Sequence, residues 1–135
     1  MTCESIKMEI SANPEYVGII RLTTSGIANK IGFSIDDIED MKVAVSEACT
    51  NAIKHSSDDR FYITFNILDD GLNIEIKDNG VGCNIELLGK PDLENPKENG
   101  LGIFIIQTLM DEVSIESSDN KGTIIKMTKY LGVDN

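Results

Sequence analysis

Between residues 34 and 78 the apolar period of the chain changes from three-to-four to two. In "SIDDIEDMKVAVSEACTNAIKH", residues 34–55, Ile38, Met41, Val45, Ala48 and Ala52 recur at steps of three and four, which is one stripe of an α-helix. Ser34 suits the N-cap, and Asp36 and Asp37 suit the positive end of the helix dipole. Directly afterwards "RFYITFNIL" and "LNIEIKD" flank "DDG" and read as a β-hairpin ending at Asp78. A helix stripe that runs straight into a hairpin has to lie on a sheet to bury both apolar faces.

The rest of the chain fits that demand. Residues 4–10, "ESIKMEI", partly alternate and read as a strand. Pro14 opens a helix whose apolar positions are Val17, Ile20, Thr24, Ile27 and Ile31, and Gly32 ends it. Residues 83–99 have loop composition, with Gly89, Pro91, Pro96 and mixed charges. "GLGIFIIQTLMDE" reads as a helix entered through glycines, and "VSIESS" and "TIIKMTKYL" across "DNKG" as a second hairpin. The order β, α, α, β, β, loop, α, β, β implies an α/β two-layer sandwich over 1–135 as one domain. Its sheet is expected to be mixed and mostly antiparallel, with helices on one face.

Composition removes several function classes. The net charge of −11 argues against direct binding of nucleic-acid phosphates. No run of about 18 apolar residues is present and "MTCESIKMEIS" has no apolar signal region, so no membrane span is expected and the cytoplasm is the expected location. Cys3, Cys49 and Cys83 form no CxxC pair, and His55 is the one histidine, which leaves little for a zinc site or a histidine-based nucleophile.

Three stretches carry chemistry. Glu47, Asn51 and His55 stand four residues apart, so they share one helical stripe with neighbouring Cβ atoms about 5–6 Å apart. A carboxylate and an amide so placed orient water or coordinate a hard cation such as Mg²⁺ through oxygen. Read alone, the stripe also suits a solvated helix face, but Ala44, Val45, Ala48, Cys49, Ala52 and Ile53 around it leave room for close approach. In "KDNGVG", Asp78 ends a strand and can accept from an exocyclic amine, while Gly80 and Gly82 permit close backbone approach. Read alone it is a turn, since Asn-Gly is a common turn dipeptide. In "ENGLGIF", Gly100 and Gly102 expose backbone N–H groups at a helix entrance, which suits phosphate oxygens. This is neither GxxxxGK[ST] nor GxGxxG.

In that order the three stretches resemble the GHKL (Bergerat-fold) ATPases. "EACTNAIKH" resembles their N-box, "DNGVG" the first glycine box and "NGLG" the second. Within that superfamily "PEYVGIIRLTTSG", "IEDMKVAVSEACTNAIKH", "LMDEV" and "MTKYL" are similar to the anti-sigma-factor serine kinases. The resemblance implies an ATP- and Mg-dependent kinase that phosphorylates an anti-anti-sigma protein on serine and itself sequesters a sigma factor, as a homodimer. It implies Glu47 as general base, Asn51 as the Mg²⁺ ligand and Asp78 as the acceptor for the adenine amine. Gly80, Gly82, Gly100, Leu101 and Gly102 would shape the nucleotide pocket and lid, with Thr123 supporting the adenine side. The lid is short and no arginine lies there to meet the γ-phosphate, so either transfer is slow or Lys90 or Lys97 serves. Arg21, one of two arginines, lies among Ile19, Ile20, Leu22, Thr23 and Thr24 and is the candidate partner anchor. The competing expectation is a nucleotide-binding anti-sigma module without useful kinase activity.

Overall fold

The computed structural model describes residues 4–80, 101–118 and 122–132. β1 spans Glu4–Ser11, and a 3-10 turn at Pro14–Tyr16 leads into α1, Val17–Ile31. The expected helix start at Pro14 is therefore a tighter turn, capped by the Asn13 side chain, which accepts from the Glu15 N–H at 3.0 Å. α1 ends where Gly32 takes φ 111° and the N–H groups of Gly32 and Phe33 both bond the Ala28 carbonyl at 3.1 Å. Two residues later Ser34 caps α2, Ile35–His55, by accepting from the Asp37 N–H at 3.1 Å.

β2, Arg60–Ile67, and β3, Gly71–Asp78, form the first hairpin. α3 covers Leu101–Leu109, shorter than the run read from the sequence, and β4, Glu112–Ser118, and β5, Gly122–Tyr130, close the chain. The five strands make one sheet in the order β1-β2-β3-β5-β4, and each of its four described pairings is antiparallel.

One face of this sheet carries Phe61, Ile63, Phe65, Leu72, Ile74, Ile76, Ile125 and Met127, all buried. α2 closes over it with the stripe Ile38, Met41, Ala44, Val45, Ala48, Cys49 and Ala52, all buried. Ile20 and Ile27 of α1 and Ile103 and Ile106 of α3 complete the same core. Each fully buried aromatic or aliphatic side chain contributes about 1.5–3 kcal/mol. The opposite face is polar. There Asn66 donates to Asn73 at 2.9 Å and Asn73 donates to Thr128 at 2.9 Å, a cross-strand amide ladder facing water. Among the described residues no helix is long and apolar enough to cross a membrane.

Candidate functional site

α2 is the spine of the site. Glu47, Asn51 and His55 lie along it over about 12 Å of axis at 1.5 Å per residue. All three are half-buried, beside the stripe of α2 that packs into the core. At the Glu47 level α3 comes close. An ideal Cβ added to Gly102 would sit 2.9 Å from Glu47 Oε2, so the absence of a side chain leaves space in front of the carboxylate. Leu101 is half-buried beside it, at the first position of α3. Midway, Asn51 Nδ2 is buried and has no hydrogen-bond partner among the described residues. Such an orphaned amide costs about 1–3 kcal/mol unless a bound group supplies an acceptor.

The far end of α2 meets the exit of β3. A Cβ at Gly80 would collide with the His55 carbonyl oxygen, so glycine is the residue that lets β3 leave beneath the helix terminus. Asp78 is 2% exposed. Burial pushes its carboxyl above the ordinary value of 3.8, while the Gly80 N–H, the nearby charge of His55 and the Thr123 N–H pull it back. The Gly80 N–H donates to Asp78 Oδ1 at 2.8 Å. The carboxylate is thus oriented by the Gly80 N–H, forms no ion pair among the described residues, and retains acceptor capacity for a ligand's donor. Thr123, also 2% exposed, stands opposite Asp78 in the β3–β5 register.

The structure therefore gathers Glu47 with Gly102 midway along α2, and Asp78, Gly80 and Thr123 beside its C-terminal end, with Asn51 between them. Gly82, Gly100, Lys90, Lys97 and the expected lid at 83–99 lie outside the described residues. Arg21 is elsewhere, half-buried on α1 between Ile19 and Leu22, which are 53% and 73% exposed. Cys49, between Glu47 and Asn51 in sequence, faces the core, and burial pushes its thiol up to about 12, so it is packing and not a nucleophile.

Three supports escape the sequence reading. Gly122 has φ 79°, and a Cβ there would collide with the Asp78 carbonyl oxygen. The Ser57 hydroxyl donates to the Asn79 carbonyl, and Asn79 Nδ2 donates to Asp58 Oδ2 at 3.2 Å, fastening the segment after α2 to the exit of β3. "DNKG" ahead of a strand gave a signal for a glycine-requiring turn at Gly122. For Ser57 and Asn79 there was none, because their partners are 22 residues apart.

The residues fit a magnesium nucleotide. Among the described residues no group of three or more His, Cys, Asp or Glu could hold a metal ion. Mg²⁺ needs no such cage, since it usually takes one or two protein oxygens and fills its remaining positions with phosphate oxygens and water. The Asn51 amide offers both an oxygen for such an ion and an unpartnered N–H group for a phosphate oxygen.

Comparisons with known proteins bear on the family and the fold. Residues 10–129 match the family described as the histidine kinase-like ATPase domain. The serine-protein kinase RsbW of Bacillus mycoides is 45% identical over 139 aligned residues, covering 95% of this chain and 86% of that protein. The serine-protein kinase RsbW of Bacillus velezensis is 43% identical, covering 93% of this chain and 85% of the relative. Among solved structures, the RsbU and RsbW domains of a Mycobacterium tuberculosis protein superpose with a TM-score of 0.71 at 18% identity, over 95% of this chain and 32% of that one. The histidine kinase domain of a blue-light activated kinase from Erythrobacter litoralis gives 0.57 at 21% identity, over 90% of this chain and 62% of that one. At those identities the structural matches bear on the fold alone.

Proposed function

This chain belongs to the histidine kinase-like ATPase family, and from that membership we propose that it is an ATP-dependent protein-serine kinase that also acts as an anti-sigma factor. Its phosphoryl acceptor is an anti-anti-sigma protein, and its captive is a sigma factor. The observation that carries the reading is the line along α2: a carboxylate with open space before it, an orphaned amide, and a buried carboxylate at the far end. The 43–45% identity to serine-protein kinases supports the class of acceptor.

Each residue has a task in that reading. Asp78 accepts a hydrogen bond from the adenine amine, held in place by the Gly80 N–H. Asn51 binds Mg²⁺ through its oxygen and a phosphate oxygen through Nδ2. The first turn of α3, with Leu101 and Gly102, turns backbone N–H groups toward the phosphates. Glu47 takes the proton of the attacking serine hydroxyl, where a positioned base typically contributes about 10²–10⁴-fold. Magnesium, when bound with ATP, neutralises charge on the transferring phosphoryl group. A free carboxylate with room for a hydroxyl favours the kinase over a binding module that lacks transfer activity.

Asp78→Asn is the direct test of the nucleotide site. It should weaken ATP and ADP by about 1–3 kcal/mol in calorimetry, the usual cost of a mispaired buried hydrogen-bonding group. Unchanged affinity for both nucleotides would remove Asp78 from the adenine site. The same variant carries a pH signature. A carboxyl whose folded pKa lies above its unfolded value binds more protons when folded, so stability falls as pH rises through the window above 3.8. The nucleotide-free variant should lose that decline and melt no lower than the parent at neutral pH.

The proposed partner surface is on α1. Among the described residues Arg21 forms no ion pair, and Val17–Ile31 holds no carboxylate in a chain of net charge −11. Arginine beside exposed apolar residues suits a binding anchor, in a homodimer that presents this helix to the sigma factor. Arg21→Ala should weaken sigma-factor binding by about 1–3 kcal/mol while ATP binding stays intact. Full sigma binding by the variant would remove Arg21 from the interface. A cytoplasmic location follows from partners of this kind.

A further inference from the structure

β5 sends every second residue toward the helices: Thr123, Ile125 and Met127 are buried there, and the next in the series is Lys129. A lysine at such a position needs partners for its ammonium. The Lys129 side chain is 13% exposed, and its Nζ donates to the Leu109 carbonyl oxygen at 2.8 Å and lies 3.9 Å from Asp37 Oδ1. Leu109 is the last residue of α3, and Asp37 lies in the first turn of α2. One ammonium therefore joins three elements: the strand that carries it, the C-terminal carbonyl of α3, where the helix dipole favours a cation, and the N-terminal turn of α2. Farther along the same pair of helices is the gap between Gly102 and the Glu47 carboxylate. At about 1.5 Å per residue, Glu47 is about 15 Å along α2 from Asp37, and Gly102 about 10 Å along α3 from Leu109, so the two helices run antiparallel between the ammonium and the gap.

We propose that Lys129 is a positioning residue: it clasps the C-terminus of α3 to α2, and so sets where the first turn of α3 stands in front of Glu47. Ile103 and Ile106 hold α3 to the core by apolar burial, which is non-directional and leaves a short helix free to slide or turn. The Asp111 N–H bonds the Thr128 carbonyl at 2.9 Å, which ties the chain after α3 to β5 but gives the helix no tie to α2. Lys129 supplies that tie through a charged, directional contact. A helix moves as a rigid piece, so a shift at Leu109 reaches Gly102 undiminished, and a misplacement of about 1 Å at a transfer site can cost about 10²-fold. Lys129 itself stands at the opposite end of α3 from the turn that faces Glu47. This inference rests on the proposed kinase roles of Glu47 and of that turn.

The test measures single-turnover phosphotransfer at saturating ATP, with Mg²⁺ and a purified anti-anti-sigma protein, beside amide hydrogen exchange on the nucleotide-free full chain. Lys129→Met keeps an apolar stem and removes the ammonium. It should transfer about tenfold more slowly while ATP affinity by calorimetry changes less than about threefold. Its α3 amides should exchange about tenfold faster while those of β2 and β3 keep parental rates. Lys129→Arg retains a cation with N–H donors and should transfer near the parental rate. Asp37→Asn alters the partly exposed end of the clasp and leaves the core alone. It should slow transfer about threefold, the scale of one such ion pair, and add nothing in a chain that already carries Lys129→Met. Parental transfer and parental α3 exchange in Lys129→Met, beside a loss of transfer in Glu47→Gln, would overturn the role of Lys129 and leave the kinase standing. Faster exchange throughout the sheet would overturn it too, since the ammonium would then support the whole fold and not α3. So would equal losses in Lys129→Arg and Lys129→Met, which would make packing and not the donor responsible. Should Lys129→Met fail to fold, parental transfer in Asp37→Asn would overturn the clasp by itself. No transfer by the parent would overturn the kinase reading and this inference together.

Discussion

Glu47→Gln should lower serine phosphotransfer by about 10²-fold or more while ATP affinity changes little. Glutamine keeps the shape of the side chain and its hydrogen bonds but is not a useful base. The position is half-buried on α2, and its Oε2 looks into space that the missing side chain of Gly102 leaves open. In the proposed site the binding energy comes from the base end and the phosphate contacts, which the substitution does not touch. The fall should therefore sit in the transfer step, visible in single-turnover measurements at saturating ATP. A normal rate would show that Glu47 is not the base and that positioning of the hydroxyl suffices, as phosphoryl transfer permits.

Gly80→Ala should combine a large stability loss with a loss of nucleotide binding. The added Cβ would collide with the His55 carbonyl oxygen and lie 2.8 Å from Asp78 Oδ1. The nearer neighbour is backbone and not the far end of a flexible side chain. The carbonyl belongs to the last turn of α2, whose next residue, Ser56, bonds back to Ala52 at 2.9 Å. The Asp78 carboxylate is fixed by the Gly80 N–H itself. Overpacking of this kind costs about 1–3 kcal/mol and occasionally more, and a lowering of the melting temperature by about 4 °C per kcal/mol is expected for a chain of this size. Relief requires the exit of β3 to move away from α2, which carries Asp78 with it. ATP affinity should therefore drop at least about tenfold, one mispaired hydrogen bond's worth. A variant with parental melting temperature and ATP affinity would show that the close approach of β3 to α2 is dispensable.

The parts of this protein that were legible in its sequence are those set by local chemistry. Gly32 followed by Ser34 placed the break between α1 and α2 to within a residue, because a left-handed C-cap and an N-cap are properties of single residues. The stripe Ile38, Met41, Val45, Ala48 and Ala52 is buried as its spacing required. Glu47 and Asn51 stood out as polar residues on an otherwise small-residue helix face, and both are half-buried there, Asn51 Nδ2 without a hydrogen-bond partner among the described residues.

What could not be read is set by partners far along the chain. Hairpin patterns say that β4 neighbours β5, but not that β5 inserts beside β3 and leaves β4 at the edge. That order depends on α3 packing on the same face as α2. Ser117 looked like any polar residue of an alternating strand, and its place next to Thr123 follows from the β4–β5 register alone. Gly122 read as a turn residue, whereas its φ of 79° also lets β5 pass close to the Asp78 backbone. The end of α3 at Leu109 was overestimated because Met110 continues the apolar run while Asp111 turns to bond the Thr128 carbonyl.

The most direct test of the kinase is the transfer of label from γ-labelled ATP, with Mg²⁺, to a purified anti-anti-sigma protein. The purified parent should place the label on a serine of that protein, with transfer reduced about 10²-fold in Glu47→Gln and lost when magnesium is chelated. Tight ATP binding and sigma-factor capture without any label on the acceptor would contradict the enzyme, and would leave a nucleotide-binding anti-sigma module in its place.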